Sequence, residues 1–330
     1  MTTQIVTDSK LVEIAREGLM RENKALPPWL FYDERGSLLF EQITRLPEYY
    51  LTKLERAILA DHAETILRAA ACGERIRILE PGAGSADKTR LLLAAAVAAQ
   101  QSVSYQPIDV SASALDSARM RLHEELPAVN VNPILADYTS GWQPARQTGE
   151  ERQLLLWLGS SIGNFEPDSA QALLARMGKV MRAGDCLLLG VDLAPQPGGK
   201  QVDDLLGAYN DQAGVTASFN RNILLRLNRE LGAEFDADAF THRAVWNGEK
   251  SRIEMHLESQ HRQSVWIDAL DQQVMFAAGE RIHTENSYKY TQEAAKHRMA
   301  DAGFPCAAQW LDVDGWFAVL LGRFRLAANF

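Results

Sequence analysis

Apolar positions recur with helical spacing through residues 9–22, where Leu11, Ile14, Ala15 and Leu19 fall on one face. Leu26-Pro27-Pro28 stops that pattern, because proline lacks the N–H that would continue a helix. Phe31-Tyr32-Asp33 and Leu46-Pro47-Glu48-Tyr49-Tyr50 make an aromatic-rich stretch with polar tips, and helical pattern resumes from about Lys53 to Ala71. From residue 75 strands and helices alternate. Arg75 to Leu79 predicts a short strand followed by a glycine turn, and Asp87 to Ala99 a helix. Tyr105 to Asp109 predicts a strand, Ser113 to Leu126 a helix, and Val129 to Leu135 a further strand. Gln153 to Leu158 and Cys186 to Val191 are nearly continuous apolar runs, as in strands buried on both faces. The helix between them, Asp168 to Met181, has Pro167 near its start and Gly184 just past its end. Alternation of this kind predicts an α/β fold with a parallel sheet covered by helices on both faces.

After Pro195 the pattern changes. Asp203 to Leu231 reads as helix broken near Gly214. Ala244 to Ile267 alternates instead, with Ile253, Met255 and Leu257 and then Val265 and Ile267, which predicts antiparallel hairpin strands. Helical pattern returns from Tyr290 to Ala302, and Cys306 to Trp310 and Gly315 to Phe324 read as two strands that can rejoin the first sheet. The expected organisation is a nucleotide-binding core over 56–195 and 289–330, interrupted by a smaller α+β insert. Residues 196–288 and 1–55 form that second, substrate-binding domain.

Composition narrows the classes. The chain has 330 residues, 46% of them hydrophobic and 23% charged, which is ordinary for a globular protein and excludes general disorder. Its net charge of -9, with no long basic run, argues against nucleic acid and anionic membranes as partners. Cys72, Cys186 and Cys306 are far apart and odd in number, so neither a disulfide framework nor a zinc site is expected. The seven histidines show no metal-ligand spacing. The longest apolar run, Leu91 to Ala99, falls well short of the roughly 20 residues of a membrane span. The expectation is a cytoplasmic monomer that holds no metal.

Candidate chemistry begins at Glu80-Pro81-Gly82-Ala83-Gly84-Ser85. Gly82 and Gly84 follow a strand and precede a helix, where backbone can approach a ligand closely and helix N–H groups meet its polar end. The next strand ends in Asp109, placed to accept both hydroxyls of a ribose. Asp137-Tyr138 follows the third strand and is placed to meet an adenine edge and face. Three readings remain at this point: S-adenosylmethionine, a nicotinamide dinucleotide, or a bare structural turn. Asp87 stands where the dinucleotide fingerprint wants a third glycine, and Glu80 would repel a diphosphate but welcome a cationic amino group. Both features favour S-adenosylmethionine over an NAD-dependent oxidoreductase.

More distant segments add a family resemblance. Leu26-Pro27-Pro28-Trp29-Leu30-Phe31-Tyr32-Asp33, Ile43-Thr44-Arg45-Leu46-Pro47-Glu48-Tyr49-Tyr50 and Leu158-Gly159-Ser160-Ser161-Ile162-Gly163-Asn164 come in order along the chain. Gly214-Val215-Thr216-Ala217-Ser218-Phe219-Asn220-Arg221-Asn222 and Phe276-Ala277-Ala278-Gly279-Glu280 follow. With them the chain resembles the histidine-specific Nα-methyltransferases of ergothioneine biosynthesis, from about Leu26 to the C-terminus. The resemblance implies a Rossmann-like class I methyltransferase sheet and S-adenosylmethionine as methyl donor. It implies three methyl transfers to the α-amine of L-histidine, giving hercynine. Gly82, Lys88, Asp109, Asp137 and Tyr138 match cofactor-contacting positions, beside Glu80 and Gly84 of the turn. Tyr49, Asn164 and Tyr209 match positions that hold the amino acid's backbone end, with Gly159 and Thr216 in the same matched segments. Glu285 and Ser287 match positions that hold the imidazole, and Tyr32 and Met255 the pocket wall. Relatives of this family methylate other amino acids, tryptophan types included, which is the alternative within the same chemistry.

The chemistry suits these residues. Methyl transfer from a sulfonium needs an in-line approach by a neutral amine and no metal, so positioning supplies much of the rate. Tyr49 and Asn164 can orient the amine and a water that removes its proton, and neither is a strong base. Trp246, Trp266, Trp310 and Trp316 sit among apolar neighbours and read as core or interface.

Overall fold

The computed structural model describes residues 9–139 and 150–325. The outer ends of the expected domains, residues 1–8 and 326–330, lie outside it. The chain opens with α1 (Ser9–Leu19), which buries Leu11, Ala15 and Leu19 on one face, and α2 (Glu34–Ile43). The long α3 (Tyr50–Ala71) leads into an alternating series: β1 (Ile76–Pro81), α4 (Thr89–Gln100), β2 (Val103–Asp109), α5 (Ala112–Glu125), β3 (Val129–Val131) and β4 (Ile134–Leu135). β5 (Arg152–Trp157), α6 (Pro167–Gly178) and β6 (Cys186–Asp192) continue it. Then come α7 (Val202–Tyr209), α8 (Val215–Leu231), β7 (Phe240–Asn247), β8 (Arg252–Ser259), β9 (Gln263–Ile267), β10 (Gln272–Phe276) and β11 (Arg281–Tyr288). α9 (Gln292–Asp301), β12 (Cys306–Leu311) and β13 (Phe317–Arg323) close the chain.

These elements form two compact units: Met1–Tyr49 with Val202–Ser287, and Tyr50–Gln201 with Tyr288–Phe330. The second unit holds an eight-stranded sheet in the order β12-β13-β6-β5-β1-β2-β3, with β4 also on β2. β1, β2, β3, β5 and β6 run parallel, and β13 runs antiparallel to both β6 and β12. This is the expected α/β sheet, which β12 and β13 rejoin, and the antiparallel direction of β13 is an addition to the parallel sheet expected. β1 has β2 on one side and β5 on the other, so the order reverses at β1, and ligands of such sheets bind beyond the carboxyl ends of strands at that point. The strand expected as one piece over 129–135 is split, because Pro133 has no N–H to give a ladder. Leu155, Trp157, Leu187, Leu189, Ala318 and Leu320 pack with α6 and α9 residues into the core that fixes the strand ends.

The first unit packs α8 against α2 and against β7 and β8. α8 starts where the sequence broke: Gly214 is left-handed (φ 73°), and the Asp211 carboxylate accepts the N–H groups of Val215 and Thr216 at 2.9 and 2.8 Å. Phe219 on α8 stacks on Phe31 with ring centroids 4.5 Å apart, meets Tyr32 edge-on and lies tilted by 40° to Phe40. β7 pairs antiparallel with β8, and β11 lies on the other side of β8. β9 and β10 form a separate hairpin. Among the described residues no helix is long and apolar enough to cross a membrane.

Candidate functional site

In the second unit the glycine turn lies between β1 and α4. Gly82 (φ 70°) and Gly84 (φ 51°) both hold left-handed backbone that suits glycine. A side chain at Gly84 would meet nothing within 4 Å, so open space faces the turn there. Asp109 ends β2 with one oxygen on the Gly84 N–H (2.8 Å) and the other on the Ser111 N–H (2.9 Å). Burial holds the Asp109 carboxyl above its usual range in spite of these bonds. α4 begins at Thr89, two residues later than expected, and Asp87 before it lies against the guanidinium groups of Arg56, Arg90 and Arg121.

Asp137 accepts from the N–H (2.9 Å) and hydroxyl (2.5 Å) of Thr139, which folds the segment back on itself. The Tyr138 ring crosses the turn: a Cβ on Gly82 would lie 3.4 Å from it. Arg176 on α6 donates to the carbonyls of Tyr138 and Thr139 at 2.5 and 3.1 Å and pins this stretch. Trp157 is fully buried at the end of β5.

Glu80 is 4% exposed and does not face outward. Its oxygens accept from the Thr89 hydroxyl at 2.7 and 2.8 Å and from the Tyr105 hydroxyl at 2.5 Å. Burial pushes its carboxyl from 4.5 up to about 7, outweighing those bonds. An acid whose folded value is raised stabilises the fold fully while protonated in both states. That contribution therefore falls as pH rises from about 4.5 to about 7, by on the order of 3 kcal/mol in all. Denaturant unfolding of the ligand-free protein should show this slope, and Glu80→Gln should flatten it. Parallel pH–stability curves for the two proteins would show that Glu80 does not titrate there.

Lys88, expected from the resemblance as a cofactor contact, pairs with Glu55 of α3. Glu55 is fully buried and also accepts the Gly159 N–H at 2.8 and 2.9 Å. The segment 158–164 turns tightly, with Gly159 at φ 75° and Ser160 at φ 56°. The Ser161 hydroxyl donates to the Leu158 carbonyl and the Asp192 N–H to Ser160 Oγ. Asn164 closes this turn, where Gly163 has room only for hydrogen because the Tyr288 carbonyl would lie 2.7 Å from a Cβ.

In the first unit Tyr32, Phe40, Tyr49 and Tyr209 form a chain of edge-on rings with centroids 5.7, 6.3 and 6.2 Å apart. The Tyr209 and Ser287 hydroxyls are 2.7 Å apart. Ser287 and Glu285 are two apart on β11 and share a strand face. Thr284, Glu285, Asn286 and Ser287 are four consecutive polar residues, each less than 9% exposed. Met255 is 2% exposed on β8, its carbonyl accepting from the Thr284 hydroxyl at 3.1 Å. Thr216 lies buried in the first turn of α8, its N–H on the Asp211 carboxylate.

Several contributors were not visible in the sequence. Phe40 lies on α2, a helix no pattern announced. Burial lowers the pKa of His242 on β7 below the ordinary imidazole value. Its Nε2–H donates to the Tyr209 carbonyl and its Nδ1 accepts from Asn220, both at 2.8 Å, a tautomer set by the carbonyl's inability to donate. Among the described residues no three or more His, Cys, Asp or Glu side chains are grouped to hold a metal ion.

A family model described as histidine-specific methyltransferase, SAM-dependent, matches residues 11–324. The chain is 42% identical to a histidine N-alpha-methyltransferase of Mycolicibacterium smegmatis, over 93% of this chain and 92% of that protein. It is 42% identical to the histidine N-alpha-methyltransferase of Mycobacterium tuberculosis, over 92% of each. It is also 31% identical to ergothioneine biosynthesis protein 1 of Neurospora crassa, over 92% of this chain and 34% of that longer protein.

Proposed function

The chain belongs to the histidine-specific, S-adenosylmethionine-dependent methyltransferases, and we propose that it methylates the α-amine of L-histidine to give Nα,Nα,Nα-trimethylhistidine, hercynine, the first step of ergothioneine biosynthesis. The observation that carries the substrate is the buried polar run on β11. A neutral imidazole offers one N–H donor and one bare nitrogen acceptor. Glu285 supplies an acceptor, and the Ser287 hydroxyl, anchored on Tyr209, supplies a donor.

The second unit fits the methyl donor. The open space at Gly84 admits close approach to the turn's backbone, and Asp109 stands where ribose hydroxyls can donate to it. Asp137 and Tyr138 suit an adenine, and Lys88 suits the carboxylate, the donor's only anionic group. When bound, S-adenosylmethionine supplies an electrophilic methyl group on a sulfonium. The protein's own part is orientation. Within the first unit Tyr49 orients the amine, Tyr209 and Thr216 serve the carboxylate end, and Tyr32 and Met255 wall the side chain. No strong base is among them, so the ammonium proton leaves to water. The tyrosine faces favour a cationic product by roughly 0.5–2 kcal/mol through cation–π attraction.

A panel of free amino acids with methyl-labelled donor tests this reading. Mass gains of one, two and three methyl groups on histidine are expected. Methylation of tryptophan or tyrosine with none on histidine would reassign the substrate.

A further inference from the structure

Lys88 sits at the position that caps the N-terminus of α4, where a cation opposes the helix dipole. Something must offset that misfit, and the fully buried carboxylate of Glu55 does. Glu55 reaches from α3 to three places. One oxygen takes the Lys88 ammonium, and both lie within hydrogen-bond distance of the Gly159 N–H. On its remaining side, a Cβ on Gly190 of β6 would come within 2.0 Å of the Glu55 Oε1, so the strand has glycine where the carboxylate presses in. A Cβ on Gly159 would stand 3.5 Å from the Lys88 Nζ, which brings the cation and the 158–164 turn together.

A buried ion pair is weak support for stability, because removing two charges from water offsets most of their attraction. Fixing a charge in place is the better explanation. An ammonium carries three donors on a flexible four-carbon stem, and a rigid carboxylate partner limits where the other two can point. Lys88 keeps 21% of its side-chain surface while Glu55 keeps none, so the pair presents its cationic end outward.

We propose that Glu55 is a positioning residue for the methyl donor: it holds the Lys88 ammonium against the Gly159 turn so that Lys88 meets the donor's carboxylate. The inference rests on the reading of Lys88 as a cofactor contact. Calorimetric titration of the full chain with two probes separates the possibilities. S-adenosylhomocysteine carries the amino-acid carboxylate, and 5′-methylthioadenosine lacks it. Glu55→Gln should weaken S-adenosylhomocysteine by about tenfold or more, the size of a charge-assisted contact, and leave methylthioadenosine within about twofold. Lys88→Met should show the same selectivity, and the double variant should be no weaker than Lys88→Met alone. Equal loss of both probes in Glu55→Gln would mark Glu55 as a structural residue and overturn the proposal, as would no loss of either. Unchanged S-adenosylhomocysteine binding in Lys88→Met would remove Lys88 from the cofactor site, and the proposal would fall with it while donor binding by the turn and Asp109 stood. Should Glu55→Gln not fold, Glu55→Asp retains the charge but withdraws it by one methylene, and the same carboxylate-selective loss, smaller in size, is expected.

Discussion

Asp109→Ala should weaken S-adenosylhomocysteine by about a hundredfold or more, the loss of two charge-assisted hydrogen bonds. The carboxylate has two tasks at once. It is the acceptor at the tip of β2 where ribose hydroxyls would donate, and it already fastens the Gly84 and Ser111 N–H groups. Alanine removes both, so the ligand loses its partner and the glycine turn loses its tether. Asp109→Asn should fall between alanine and the parent, because an amide keeps one accepting oxygen but turns a donor toward the other N–H. Burial holds the Asp109 carboxyl above its ordinary value, so binding should also weaken as the solution is acidified and the carboxylate is neutralised. Titration calorimetry at two pH values reads all three effects. Binding of the alanine variant within threefold of the parent would remove Asp109 from the donor site.

The parts of this site that were legible in sequence are those where local geometry forces residue type. A parallel strand buried on both faces must be apolar throughout, so β5 and β6 stood out. Backbone at φ 70° and 51° favours glycine, so the turn after β1 stood out too. Asp109 followed from the length of the next strand. What stayed hidden depends on contacts between residues far apart in the chain. α2 has Gly36 inside it and Leu38 more than half exposed, so its apolar face is broken. Gly36 is there because a Cβ would strike the Phe31 carbonyl at 1.6 Å, a reason no periodicity displays. Glu55 lies in a helix of mixed charge, and only the fold shows it buried among Lys88, Gly159 and Gly190. Glu80 shows the converse. Its place before the glycines suggested a partner for a cationic ligand, yet the hydroxyls of Thr89 and Tyr105 occupy its carboxylate. The later strands were read only in part, since β10 and β11 carry polar residues that break the apolar alternation.

Glu285→Ala should lower kcat/KM for histidine by about a hundredfold while S-adenosylhomocysteine affinity shifts by less than about threefold. The asymmetry follows from placement. Glu285 belongs to the unit that holds Tyr209 and Ser287, and Asp109 and the glycine turn belong to the other. Without the carboxylate an imidazole N–H would be buried unmatched, and that penalty falls on substrate alone. The same loss relaxes discrimination: a pocket without its acceptor no longer penalises side chains that lack an N–H. The ratio of histidine to phenylalanine turnover should therefore drop even if neither reaches the parent rate. Glu285→Gln keeps an accepting oxygen and should recover part of the histidine rate, which a merely space-filling role would not require. Steady-state rates for both amino acids, with donor affinity measured on the same preparations, decide the matter. Matched losses in histidine turnover and donor affinity would point to a disturbed fold, and an unchanged histidine rate would move imidazole recognition away from β11.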